Sequence, residues 1–177
     1  MSEQGGGNRR IDRIRSEGYV EDLDSLDLEV LRAKRDECMA EREYLSLLRR
    51  LVQGRAEILK AELDARSSDS EHAPLIERLS TILAGDEAVG SRGEVVRVSV
   101  PEEELTMARR RVERLVADAG ISDPSSLDDE RLADAVRVLE GEEREVSDAR
   151  RDVIRVLDTV QDELKRRYKD DPSLALR

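Results

Sequence analysis

Arg42, Ser46, Arg49, Gln53 and Glu57 follow one another at intervals of four, three, four and four residues, and Glu143, Ser147, Arg150, Ile154 and Asp158 repeat those intervals. At about 100° per residue on an α-helix, each set falls within an arc of roughly 80° and forms a single file along one side. The chemistry of such a file is hydrogen-bonding recognition of a purine nucleotide. An arginine fork fits O6 and N7 of guanine, as it does in a DNA major groove. A carboxylate accepts from guanine N1–H and the exocyclic amine, while serine or glutamine bridges to ribose or phosphate. Arg50, Arg55 and Arg151 stand nearby to compensate phosphate charge. A plain polar shoulder with ion pairs one turn apart is the competing interpretation of either file alone. Its recurrence at matching positions favours a ligand, and two equivalent files on packed helices suit a two-fold symmetric dinucleotide.

The elements that position these files come from an internal repeat. A shift of 101 residues aligns 25–66 with 126–167 without a gap, pairing Ser25 with Ser126, Leu31 with Leu132, Ser46 with Ser147, Arg49 with Arg150, Val52 with Val153 and Leu63 with Leu164. Each copy opens with a serine and then acids, a helix-start pattern in which the hydroxyl caps free amides and the acids complement the helix dipole. About 40 residues without proline then give a rod roughly 60 Å long. Leu31, Cys38, Leu45, Val52 and Leu59 recur every seventh residue, as do Leu132, Leu139, Val146, Val153 and Val160. That period predicts a supercoiled pair, and an antiparallel arrangement is favoured. Leu48, Leu63, Ala149, Val156 and Leu157 fill some of the intervening core positions.

The fold class expected is therefore all-α: two long antiparallel coiled-coil helices with shorter connecting helices. Residues 1–20, rich in glycine and then arginine, are expected as a disordered basic tail, with room for a short helix at its end. A single helical domain follows over 21–169, in which 67–125 connect the copies through helices at 74–84 and 102–119 and a glycine-rich loop at 85–101; 170–177 are a frayed end.

Charged residues make up 41 % of the 177-residue chain, the net charge is −11, and there is no Trp or Phe. This is the composition of long helices. So acidic a chain is a poor direct binder of DNA or RNA, which depends on many Lys and Arg contacts; a basic protein surface is a better partner. One cysteine, Cys38, precludes an intramolecular disulfide and a thiolate metal cluster. His72 stands alone in a turn-like stretch, Cys38 lies on the apolar seam, and neither belongs to a metal or nucleophilic constellation. No run is apolar enough for a signal peptide or membrane span, so the reading is a cytoplasmic protein without membrane attachment, metal or catalysis.

The pattern Glu-x3-Ser-x2-Arg-x3-Gln-x3-Asp, borne once on each of two helices, resembles the nucleotide signature of the RsiG family, actinobacterial anti-sigma factors often labelled aerial-mycelium formation proteins. The first copy matches at Ser46, Arg49 and Gln53, carries Glu57 for Asp and departs at Arg42; the second matches at Glu143, Ser147, Arg150 and Asp158 and departs at Ile154. The resemblance implies a coiled-coil anti-sigma protein that holds a dimer of cyclic di-GMP and, with it, a sporulation sigma factor of the WhiG type. The ligand residues it implies are Ser46, Arg49, Gln53, Glu57, Glu143, Ser147, Arg150 and Asp158, joined by Arg42, which is placed to meet a phosphate, and Arg50. The reading from another class is a nucleotide-independent coiled-coil adaptor. It gains if the files are consumed in ion pairs within the helix pair.

Overall fold

The computed structural model describes residues 10–67, 100–118 and 126–176. Four α-helices lie among them: α1 (Arg10–Ile14), α2 (Leu28–Ser67), α3 (Glu102–Asp118) and α4 (Asp129–Asp170). Short 3-10 turns occupy Glu17–Tyr19, Leu23–Ser25 and Pro172–Leu176. No strand occurs among the described residues. The protein is all-α, and its two longest helices coincide with the two sequence repeats. The helix expected at 74–84 and nearly all of the loop at 85–101 lie outside the described residues; the helix expected at 102–119 is α3.

Both long helices begin at an aspartate. The amide of Leu31 donates to the Asp27 carbonyl, and that of Leu132 to the Asp128 carbonyl. The Asp128 carboxylate also accepts from the Arg131 amide at 2.8 Å, the side-chain cap that an orphan first-turn N–H requires. Ser25, expected as a cap, instead donates from Oγ to the Asp22 carbonyl and closes the preceding turn. The correction has a simple cause. Both repeats open Ser-Leu-Asp, and the acid stands at the helix boundary while the serine lies two residues outside it.

The chain divides into two compact units, Met1–Ser46 with Ser147–Arg177, and Leu47–Val146. In the first, the terminal unit, Leu31 near the start of α2 packs with Val160 and Leu164 near the end of α4, so the helices run antiparallel. Leu31, Cys38, Leu45, Val153, Leu157 and Val160 are all buried there. Leu23 completes the cluster from its turn, flanked by Val20, Leu26, Leu28 and Tyr168.

Residues 10–20, expected as tail, form α1 and the turn at Glu17–Tyr19. Ile14 is fully buried, and the arginines that make the segment look like a solvated basic patch find acids on the rods. Arg10 Nε lies 2.5 Å from Glu41, a carboxylate that is itself buried. Arg13 pairs with Glu37 at 2.5 Å, and Arg15 donates from Nε to Asp152 at 2.9 Å. Tyr19 adds a hydroxyl 2.9 Å from Glu37 and 3.1 Å from the Lys34 carbonyl, with the Lys34 ammonium 3.9 Å from its ring centre. Burial, and then the Cys38 thiol and the Glu37 carboxylate, push the Tyr19 phenol well above its ordinary range.

The last turns of α4 and, through Leu174, the expected frayed end also make contacts. Arg32 donates to the Leu174 carbonyl and to the Tyr168 hydroxyl, while Arg167 donates to the carbonyls of Leu23, Asp24 and Leu26. Hydrogen bonds from Arg166 and then Arg167 lower the Glu163 carboxyl to about 2 from 4.5. A depressed carboxyl contributes stability that is fully present above its unfolded value and is lost as pH falls through its folded one. Wild-type melting temperature is thus expected to fall between about pH 4.5 and pH 2 more steeply than that of Glu163→Gln. Thermal scans across that window by circular dichroism check it, and parallel curves contradict it.

The second, central unit combines residues 47–67 of α2 with α3 and residues 129–146 of α4. Leu48, Val52, Ala56 and Leu59 are buried with Leu132, Ala135, Val136, Leu139 and Val146. Arg49 pairs with Glu143, Lys60 with Glu140 and Arg66 with Asp129, so these segments too are antiparallel. Arg66 also donates to the Leu127 carbonyl just before α4. Three acids in the first turn of α3 complement its dipole. Its Ala108 and Val116 are buried, and Arg111 reaches Glu142 of α4 at 2.6 Å. All ten heptad residues read from the sequence are buried across the two units.

Candidate functional site

Each unit holds part of the two polar files. In the terminal unit, Ser46 links the helices. Its hydroxyl donates to the Arg42 carbonyl one turn back at 2.8 Å and accepts from Arg150 Nε at 2.9 Å. The first bond is the common i−4 bond of a helical serine. It aims the oxygen lone pairs outward, and there the Arg150 guanidinium is held by its inner nitrogen.

In the central unit, Arg49 donates from Nε to Glu143 at 2.7 Å, and its side chain is 41 % exposed. Arg49 and Arg150 occupy equivalent positions in the repeat, and both are fixed across the helix pair through Nε. The partners differ because the copies differ. Glu143 corresponds to Arg42 in the first copy, and a cation at that position cannot pair with Arg150. Arg42 turns instead to the adjacent Glu43, donating from Nε and Nη2 at 3.2 and 2.6 Å. Arg150 Nε donates to the serine hydroxyl. One file departure thus explains the asymmetry between the clusters.

The other file residues are less closely joined. Gln53 and Glu57 are exposed on the central part of α2, where Glu57 lies 3.6 Å from Lys60. Lys60 is bound mainly by Glu140 at 2.8 Å, a hydrogen bond that raises the lysine above and lowers the Glu140 carboxyl below its ordinary value. In the terminal unit Asp158 is exposed, whereas Ser147 and Ile154 are half-buried. Of the flanking arginines, Arg50 is exposed, Arg151 pairs with Asp148, and the Arg55 Nε is buried away from any acceptor. The structure therefore joins Ser46 with Arg150 and Arg49 with Glu143. Gln53, Glu57 and Asp158 stand at its exposed surface, with no hydrogen bond or ion pair to another file residue.

Sequence spacing left three participants unread. Glu43 captures Arg42, and Glu140 with Lys60 sets the charge around Glu57. Adjacency signals the first. The other two depend on the antiparallel register, which the heptad pattern does not fix.

Chemically, each cluster offers a guanidinium oriented at Nε, beside a carboxylate in one case and a hydroxyl in the other. This arrangement suits recognition of a planar acceptor edge or a phosphate, since a pre-oriented fork loses less entropy on binding. Among the described residues no group of His, Cys, Asp and Glu is placed to hold a metal ion. No described helix is long and apolar enough to cross a membrane.

The fold is that of a helical protein built on a duplicated long helix. Residues 17–83 match the family model described as RsiG-like. The matched stretch contains the whole first file, Arg42 to Glu57, while the second file lies beyond it. No curated protein matches the chain.

Proposed function

We propose that this protein is an anti-sigma factor that binds cyclic di-GMP on the files of α2 and α4, as an intercalated dimer, and with the nucleotide sequesters a sporulation sigma factor of the WhiG type in the cytoplasm of an actinobacterium. The guanines meet Arg49 with Glu143 and Arg150 with Ser46. Gln53, Glu57, Ser147 and Asp158 supply further hydrogen bonds, and Arg42 and Arg50 supply phosphate contacts. The RsiG-like match supports the anti-sigma half of this reading. One observation carries the nucleotide half: the equivalent arginines of two repeats are both held at Nε across the helix pair.

Regulation follows from linkage. A ligand that binds the complex more tightly than either protein alone shifts association by that difference in affinity. High second messenger holds the sigma factor and low messenger releases it. The protein has no catalytic step to perform and no direct contact with nucleic acid.

The adaptor reading is favoured by the ion pairs that occupy file residues within the chain, Arg49 with Glu143, Arg42 with Glu43 and Glu57 with Lys60. The energies involved are small. A part-exposed pair is worth about 1 kcal/mol or less, and engagement of Nε leaves the outer edge of the Arg49 fork for a ligand. Gel filtration of the protein with a WhiG-type sigma factor tests the proposal. Co-elution with cyclic di-GMP and separation without it are expected; co-elution independent of nucleotide favours the adaptor.

A further inference from the structure

An open cleft of about 430 Å³ lies in the terminal unit, lined by Arg15, Val20, Asp152, Arg155, Val156 and Thr159. It is not part of the polar file. At about 100° per residue, Asp152, Arg155, Val156 and Thr159 centre roughly 140° around α4 from Ser147, Arg150 and Asp158. The floor is apolar, from Val20 and Val156, and the rim is charged. Asp152 accepts from Arg15 and from Arg155, whose side chain is 77 % exposed. Two guanidinium groups around one carboxylate leave the rim with an excess positive charge, on a chain whose net charge is −11.

We propose that this cleft is the docking pocket for an apolar side chain of the sigma factor that carries an aspartate or glutamate one helical turn away. This rests on the anti-sigma reading above and adds a contact separate from the nucleotide site. The apolar floor takes the anchor, and the rim arginines take the carboxylate. An apolar pocket ringed by polar groups is the usual form of an energetically dominant contact between proteins. The open mouth favours a protein occupant over a small molecule. Small-molecule sites bury most of their ligand, whereas an open cleft draws affinity from the surface around it. Arginine at the rim further selects a carboxylate, with which it forms paired hydrogen bonds. The N-terminal segment takes part, because it supplies Arg15 to the rim and Val20 to the floor of the cleft. Its attachment through Ile14 and the arginine pairs is what creates the pocket.

The test uses the full chain, cyclic di-GMP and the WhiG-type sigma factor, with calorimetry of each binding step. Thr159→Trp fills the cleft from an exposed helical position, and Arg155→Glu reverses the rim charge. Both are expected to weaken sigma-factor binding more than tenfold, with melting temperature and nucleotide heat unchanged. Sigma-factor affinity within twofold of wild type in both variants overturns the inference while leaving the anti-sigma reading intact. So does loss of nucleotide heat with sigma binding retained, which assigns the cleft to the nucleotide. A fall in the protein's own sedimenting mass in Thr159→Trp, with sigma binding unchanged, assigns it to a second copy and equally overturns the inference. Failure of the wild-type protein to bind the sigma factor overturns the anti-sigma reading itself, and the docking pocket with it.

Discussion

Arg49→Ala and Arg150→Ala are each expected to lower the affinity of cyclic di-GMP-dependent sigma-factor assembly by about tenfold to a hundredfold. The magnitude is the ~1–3 kcal/mol carried by one bidentate arginine–guanine contact. Loss of either arginine removes the fork and leaves the supporting group, Glu143 or Ser46, without the guanidinium it holds. Fold stability changes little in comparison, because the Arg49–Glu143 pair is part-exposed and worth about 1 kcal/mol or less. The two variants are not equivalent. Arg49→Ala removes a cation that pairs with the Glu143 carboxylate, whereas Arg150→Ala removes one that donates to the Ser46 hydroxyl, so the first is expected to lose more. Titration of the ternary complex by calorimetry, with melting curves as controls, measures both effects. Unchanged assembly in both variants contradicts the site.

Leu31→Ala is expected to destabilise the terminal unit by about 2–5 kcal/mol, the range for truncating a buried leucine that leaves a cavity. Leu31 is fully buried among Leu23, Val160 and Leu164, which ties the start of α2, the end of α4 and the N-terminal segment into one cluster. Leu139→Ala makes the corresponding deletion in the central unit, where Leu139 is also fully buried. Val138, its neighbour in sequence, is 48 % exposed, and Val138→Ala is expected to change stability by only about 0.5 kcal/mol. Urea unfolding followed at 222 nm distinguishes these outcomes. Equal midpoints for Leu139→Ala and Val138→Ala contradict the heptad core.

The contrast between Val138 and Leu139 marks what a sequence makes legible. Burial follows a seven-residue period, and a period can be counted without knowing what the helix packs against, so Leu31 to Leu59 and Leu132 to Val160 were readable as core. Helix starts are legible near their positions, but serine competes with the true cap, because Ser and Asp are comparable caps and stand two residues apart in both copies. The N-terminal arginines illustrate a harder limit. Glycine and charge imply a solvated tail only when no complementary acid is near in space, and Glu37, Glu41 and Asp152 lie far along the chain from Arg10, Arg13 and Arg15. The site divides in the same manner. Positions within a file follow from helical geometry, whereas the pairings Arg49 with Glu143 and Arg150 with Ser46 join residues 94 and 104 apart and depend on register between helices. The capture of Arg42 by Glu43 is local, yet it becomes meaningful only once the Glu143 pairing is known.

Calorimetric titration of cyclic di-GMP into the protein, alone and with the WhiG-type sigma factor, tests the central claim most directly, with GTP and cyclic di-AMP as controls. Selective saturable heat with cyclic di-GMP in either setting is the predicted result. Absence of such heat in both settings, or equal heat from the control nucleotides, contradicts a guanine-reading site on α2 and α4.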